Sequence, residues 1–309
     1  YVFTGWYSDE GCTESVTQET LFEADADVYA GWRLLTGNVT DNGDGTFTTK
    51  GSTAALAGVG EELYSEIVMT LRFVKGASGA VGIMFRASNT MDNAIENGQK
   101  YLSVQLSPGN GALQVSRINS GFAHLTGSLV SLTKLPAAWQ KKYNAAESGT
   151  EIEAVLKVIC GADSFTAYID GELAYTSSED DAALIASYTG TGYGLRSSTT
   201  PATYSVEYRD LYQVEYVADG ETVAYDYLEL NASITRTLED SEVRKDENGY
   251  YRNHFTGWYT QAEGGAPVVT VSGNCKLYAH FERVAAEGEF VMVTFHTADG
   301  TDVQYLERG

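Results

Sequence analysis

EIVMTLRFVKGASGAVGIMFRAS, Glu66 to Ser88, carries two segments whose apolar side chains recur at every second position. In AVGIMFRAS (Ala80 to Ser88), Val81, Ile83 and Phe85 fall on one side and Gly82, Met84 and Arg86 on the other. That period of two belongs to a strand, because successive Cβ atoms of an extended chain point to opposite faces. KYLSVQLS (Lys100 to Ser107) repeats the pattern, with Leu102, Val104 and Leu106 inward and Tyr101, Ser103 and Gln105 opposite. One face is apolar and the other is polar with an aromatic, as expected for a sheet packed on one side and open on the other. Working outward, strands are expected in GALQVSRI (Gly111 to Ile118), EIEAVLKVIC (Glu151 to Cys160), SFTAYIDGELAYTS (Ser164 to Ser177), GYGLRSS (Gly192 to Ser198) and TYSVEYRDL (Thr203 to Leu211). A further hairpin lies around DNGDGTFTTKG (Asp41 to Gly51). Short strands at short intervals are the signature of a sandwich, here placed between Leu34 and Gln213.

Composition agrees. The 309 residues include 32 Gly and 21 Tyr but 4 Pro, with few helical periodic runs, so the chain reads as all-β with at most short helices. A formal net charge of −22 sets the whole-molecule field against polyanions, which argues against a nucleic acid or an anionic membrane and for a neutral ligand. No apolar stretch approaches the length of a membrane span, so membrane insertion is not expected. Tyr1 begins in mid-motif, so the lack of a leader says nothing about destination. Cys12, Cys160 and Cys275 are odd in number, widely spaced and outside any CxxC, which favours small apolar roles over a disulfide framework or a zinc site.

Self-comparison divides the flanks. FTGWY occurs at Phe3 to Tyr7 and again at Phe255 to Tyr259; VYAGW (Val28 to Trp32) follows the first copy and LYAHF (Leu277 to Phe281) the second. EYVADGETVAYDYL from Glu215 matches TFHTADGTDVQYL from Thr294, each with an Asp-Gly that supplies the positive φ of a tight hairpin. Residues 1–33 therefore read as the back half of a module, 214–283 as a complete one and 291–309 as the start of another. These motifs resemble the Listeria–Bacteroides type repeat, similar to internalin B-repeats of bacterial surface proteins. The resemblance implies a small β-grasp-like unit used as a spacer or adhesion element outside the cell. Phe255, Trp258, Tyr259, Tyr278 and Phe281 are expected to form its core, with a sugar-stacking platform as the alternative.

The inserted segment resembles the fructan-binding carbohydrate-binding modules of family 66 and the laminin-G-like, concanavalin-like β-sandwich (jelly roll). GIMFRAS, KYLSVQL, AYIDGE and YGLRSSTTPATYSVEYRDL carry the likeness across 34–213. They encode core and turns, so they imply fold more than ligand. SLTKLPAAWQKKYNAAESGT (Ser131 to Thr150) is longer than the expected link; it has room for a helical turn and for building or blocking a binding edge.

The same resemblance implies an arginine on the non-core side of the sheet, here Arg86, whose guanidinium fork suits vicinal hydroxyls; a structural ion pair is the alternative. Tyr101 and Gln105, on the next strand and the same face, offer a ring and an amide, with Arg196 and Glu207 as further partners or as solvated sheet residues. Trp139 in the long link is either a sugar platform or a plug pinning its loop. Asp41 and Asp44 offer oxygens to calcium, against the simpler reading of a turn. A glycosidase needs two carboxylates across the scissile bond, and the E-x-D-x-x-E strand of concanavalin-fold glucanases is absent. The expectation is a non-catalytic, carbohydrate-binding region of a larger secreted or surface bacterial protein. Its polysaccharide or oligosaccharide would be neutral, terminal fructan-type sugars being one class, and no cofactor beyond calcium is expected. The alternative is a structural spacer or protein-adhesion module.

Overall fold

The computed structural model describes residues 2–9, 15–16, 20, 26–33, 39–88, 100–119, 121–247, 249–286, 290–297 and 300–307, in two compact units, 1–210 and 211–309. Cys12 and segment 34–38, where the expected start of the sandwich falls, lie outside the described residues. The first unit opens with β1 (Val2–Tyr7), β2 (Ser15–Val16) and β3 (Tyr29–Arg33) in a sheet of order β2-β1-β3. FTGWY and YAGW are its paired antiparallel strands, with Trp6 opposite Ala30 and Tyr7 opposite Tyr29.

Thirteen strands build the sandwich: β4 (Val39–Asp41), β5 (Phe47–Thr49), β6 (Thr53–Val59), β7 (Ser65–Val74), β8 (Val81–Ala87), β9 (Tyr101–Leu106), β10 (Leu113–Ile118), β11 (Phe122–Val130), β12 (Glu151–Cys160), β13 (Phe165–Ile169), β14 (Glu172–Thr176), β15 (Gly192–Ser197) and β16 (Ala202–Asp210). They form two antiparallel sheets, β11-β10-β9-β8-β15-β6 and β14-β13-β12-β7-β16-β5-β4. Ile67, Met69, Leu71 and Phe73 of β7 and Val81, Ile83 and Phe85 of β8 belong to one buried cluster, so the inward rows of the two sheets share a core. Period two holds cleanly along β7, where buried residues alternate with half-buried or exposed ones. Among the described residues two short α-helices, α1 (Ala137–Ala145) in the long link and α2 (Ala182–Ala186), and two 3-10 turns, Leu132–Lys134 and Glu179–Asp181, complete the unit.

Three elements were not legible beforehand. β6, TAALAGV, is Ala- and Gly-rich without alternation. β11, FAHLTGSLV, is an edge strand interrupted by Gly127 at φ +64°. The helix α2 is one turn long and has no periodic pattern to show.

In the second unit, β17 (Tyr212–Ala218), β18 (Glu221–Leu228), β19 (Arg244–Asp246), β20 (Gly249–Tyr259) and β21 (Cys275–Ala285) form a sheet of order β18-β17-β21-β20-β19. β17 runs parallel to β21 and the other pairings are antiparallel. A hairpin of β22 (Phe290–Thr297) and β23 (Gly300–Glu307) follows. Asp219 (φ +52°) and Gly220 (φ +83°) make the tight turn expected of the ADG motif. β16 ends at Asp210 and β17 begins at Tyr212, so residues 211–213 go with the module and not with the sandwich.

The module core departs from expectation. Val214, Tyr216, Trp258, Val271 and Leu277 are buried together, with Phe255 packed at the margin. Tyr259, Tyr278 and Phe281 are not in that core. Trp258 and Leu277 point inward, so their neighbours Tyr259 and Tyr278, which are cross-strand partners, point outward. Tyr259 stacks on His280 at 4.0 Å, and Phe281 is exposed beside Phe255.

Candidate functional site

Arg86 does not lie on the open face of its sheet. Between Met84 and Ala87 the pairing of β8 with β15 shifts register, and Arg86 takes a left-handed conformation at φ +49°. Such a bulge inserts one residue and re-aims its side chain. Ala87 takes the face assigned to Arg86, and the arginine is 4 % exposed. Its Nη1 donates to the carbonyls of Ile185 (3.1 Å) and Tyr188 (3.2 Å), and its Nη2 to that of Gly161. Among the described residues, neither an ion pair nor an open face accounts for this arginine. It ties the end of α2 to the β12–β13 turn, where carbonyl dipoles favour a cation. Burial holds the guanidinium below its usual range, partly offset by nearby Cys160. The same burial pushes the Cys160 thiol up to about 11, so this cysteine is an inert core residue, while Cys275 is free and half-buried.

The face of β8, β9 and β15 opposite the core is buried too. Tyr101 and Gln105 are 1 % and 3 % exposed, where an open polar surface was expected. Tyr101 packs with Ala54, Leu56, Met84 and Ala87 in a second apolar cluster. Met84 already stood on that face in the sequence, and it was the clue that the face is not wholly polar. Ser103 and Ser116 share a hydroxyl contact at 2.8 Å, and the Gln105 amide donates to the Arg196 carbonyl at 3.4 Å. Arg196 donates to the carbonyls of Thr53 (3.3 Å) and Ser197. Burial raises the Tyr101 phenol, with Arg196 opposing the shift. The structure thus brings Tyr101, Gln105 and Arg196 together in a packed layer. Glu207 is elsewhere: it projects from β16 in the other sheet, exposed and 3.7 Å from Arg209.

Trp139 is completely buried in α1, its Nε1 donating to the Gly111 carbonyl at 2.9 Å. Tyr143, one turn on, donates its hydroxyl to the Pro108 carbonyl at 2.8 Å. Lys75 caps the far end of α1 by donating to the carbonyls of Tyr143 and Ala146, both at 2.7 Å. The long link is therefore a brace under the β9–β10 turn. Gly111 sits at φ +69° against the Tyr143 ring, where a Cβ would come within 2.8 Å.

That brace builds one wall of a cleft of about 680 Å³ at this end of the six-stranded sheet. Ser107, Asn110, Gln114, Ser131, Thr133 and Ser198 give it hydroxyls and amides, and Leu113, Leu129 and Leu132 give it apolar surface. No charged side chain lines it among the described residues. The Asn110 Oδ1 accepts from the Ala112 amide at 3.1 Å, which fixes that side chain and leaves its NH2 for a ligand. None of these residues stands out individually in the sequence. The signals were there in the turn PGNG (Pro108 to Gly111) and in the unusual length of the link.

Asp41 and Asp44 each commit one carboxylate oxygen, Oδ1, to their own turn. Asp41 accepts from the Gly43 amide at 2.8 Å, and Asp44 from the Thr46 amide at 3.0 Å and hydroxyl at 2.6 Å. The Thr46 hydroxyl holds the Asp44 carboxyl below its usual range. No group of three or more His, Cys, Asp or Glu side chains placed to hold a metal ion occurs among the described residues, and the two aspartates form the turn that was the simpler reading. Among the described residues no helix is long and apolar enough to cross a membrane, which says nothing of strands.

The Listeria-Bacteroides repeat domain family matches residues 1–31 and 212–280. No curated protein matches the chain. Among solved structures, the chain is similar to the carbohydrate-binding module CBM66 from Bacillus subtilis, at 13% identity over 56% of this chain and 96% of that one, with a TM-score of 0.38. It is also similar to a Bacillus licheniformis beta-glucanase, at 11% identity over 59% and 88% with a TM-score of 0.35. A galectin from Caenorhabditis elegans follows at 8% identity over 52% and 89%, TM-score 0.29.

Proposed function

We propose that the sandwich is a non-catalytic glycan-binding module, carried with repeat modules in an extracellular or cell-surface bacterial protein, and that the cleft at the β9–β10 turn is its binding site. The observation that carries this is the uncharged, amide- and hydroxyl-lined cleft in a chain of net charge −22. Neutral polyols need donors and acceptors set beside apolar surface, and they gain nothing from fixed charge. The motif resemblance of 34–213 to fructan-binding modules supports the same reading and makes terminal fructose units the first sugars to try. Among the described residues no carboxylate lines the cleft, so it offers no acid and base pair for hydrolysis. The Trp139 indole acts as a positioning residue, holding the turn that presents Asn110.

Affinity electrophoresis of the whole chain through gels containing levan, inulin, plant glycans or host glycans tests it. Retention is expected on at least one neutral polysaccharide, and Asn110→Ala with Gln114→Ala should remove it without lowering the melting temperature. Absence of retention on every glycan overturns the proposal. A second reading, a structural spacer, is favoured by the burial of Arg86, Tyr101 and Gln105, and it would then stand.

A further inference from the structure

A second cavity, of about 330 Å³, lies among Arg86, Ser88, Lys100, Ser187, Thr189 and Gly190. It is at the opposite end of the six-stranded sheet from the cleft, since Val81 pairs with Leu106 at one end and Phe85 with Leu102 toward the other. Its size is near the lower end of ligand pockets, about 300 to 1,000 Å³. Arg86 brings a buried positive charge to its wall. The three carbonyls that hold it offer dipoles and no net charge, no carboxylate lies within ion-pair distance of it among the described residues, Asp163 acting on it only at longer range, and its buried Nε–H has no acceptor. Lys100, exposed on the same cavity, joins no ion pair among the described residues. Two cations therefore share one polar cavity in a chain of net charge −22.

A guanidinium taken from water without a directly paired carboxylate is costly, and a cavity that keeps it so is complementary to an oxyanion, which forms the stronger, charge-assisted hydrogen bonds. We propose that this cavity binds the acidic group of a charged sugar, a uronate carboxylate or a sulfate ester, with Arg86 and Lys100 facing the oxyanion and the Ser187 and Thr189 hydroxyls facing the ring. That the ligand is a sugar rests on the glycan-binding reading; that it is an anion rests on the two cations alone. The overall negative charge of the chain makes such binding weak and dependent on this local reversal of sign.

Calorimetric titration of the whole chain with galacturonate, galactose, galactose 6-sulfate and inorganic sulfate, at low salt and again at 0.5 M NaCl, tests it. Galacturonate or galactose 6-sulfate should bind, galactose should not, and salt should weaken binding several-fold. Lys100→Glu, an exposed substitution that leaves melting unchanged, should weaken the acidic sugar at least tenfold while retention on neutral glycans through the cleft is unaffected. Arg86→Lys, which keeps the charge, should retain part of the binding if it folds. Equal binding of galactose and galacturonate, or an unchanged affinity in Lys100→Glu, overturns the proposal. Binding of inorganic sulfate as tight as that of the acidic sugars overturns the sugar part of it.

Discussion

The sandwich and the complete repeat module are both antiparallel-rich sheets with a tryptophan whose indole donates to a backbone carbonyl, yet they are held together differently. In the sandwich, Trp139 bonds the Gly111 carbonyl at the edge of a core contributed by both sheets. In the module, Trp258 bonds the Arg236 carbonyl and is itself the middle of the core, 4.6 Å from the Tyr216 ring and 5.3 Å from Phe255. Among the described residues, Val214, Val271 and Leu277 join Trp258 and Tyr216 in the buried cluster. A small domain buries too little surface to spread its stability and concentrates it in a few large side chains. Stability is distributed in one region and concentrated in the other.

The largest expected effect is that of Trp258→Ala. Truncating a buried tryptophan costs about 3 to 5 kcal/mol, which in so small a core should unfold the module. The sandwich should keep its own melting transition by calorimetry. If both transitions vanish together, the two regions are not independent in stability and the comparison breaks.

Next in size is Arg86→Ala, which strands two buried carbonyls and a part-buried one and leaves alanine in a left-handed conformation. A loss of about 2 to 4 kcal/mol is expected in the sandwich transition alone. Arg86→Gly should recover about 1 kcal/mol of it, since glycine adopts positive φ without strain. Equal melting of the two variants would refute the strained bulge.

Acid should separate the regions further. In the module, Thr222 and Lys276 hold Glu215 low, the Arg236 guanidinium holds Asp226 low, and His254 with the Phe255 amide holds Asp240 low. In the sandwich, Asp44 is the carboxylate so shifted among the described residues. Each of these groups has a folded pKa below its unfolded one, so its stabilisation is complete above the unfolded value, about pH 4, and is lost as pH falls through the lowered value. Melting of the module should therefore fall more than that of the sandwich between pH 5 and pH 3. Asp226→Asn, which removes the partner of a half-exposed arginine at 2.5 and 3.1 Å, should cost about 1 kcal/mol at pH 7 and reduce the acid sensitivity. An unchanged pH profile in that variant would show that the pair contributes nothing.

Glu207→Ala is the smallest. The carboxylate is exposed on the outer sheet, so stability should change by less than about 0.5 kcal/mol and glycan retention not at all. A loss of retention in this variant would move the binding surface to the other sheet.

The sequence alone determined what depends on local periodicity and repetition. The alternation in EIVMTLRFV and KYLSVQLS defined β7 and β9 within a residue at each end, and the doubled FTGWY separated the repeat modules from the sandwich. It did not reveal β6 or the edge strand β11, whose small or interrupted residues take their place from pairing with β15 and β10. Nor did it show where single functional side chains end up. One bulge at Arg86 moves a guanidinium from an expected sugar-binding face to three backbone carbonyls, and Tyr101 is covered because Met84, Leu56 and Ala54, from two other strands, meet it there. The cleft belongs to the tertiary structure altogether: its walls come from the β9–β10 turn, the end of β11 and the link braced by Trp139. Alternation reports which side of a strand a residue occupies, while exposure of that side depends on what the rest of the chain packs against it.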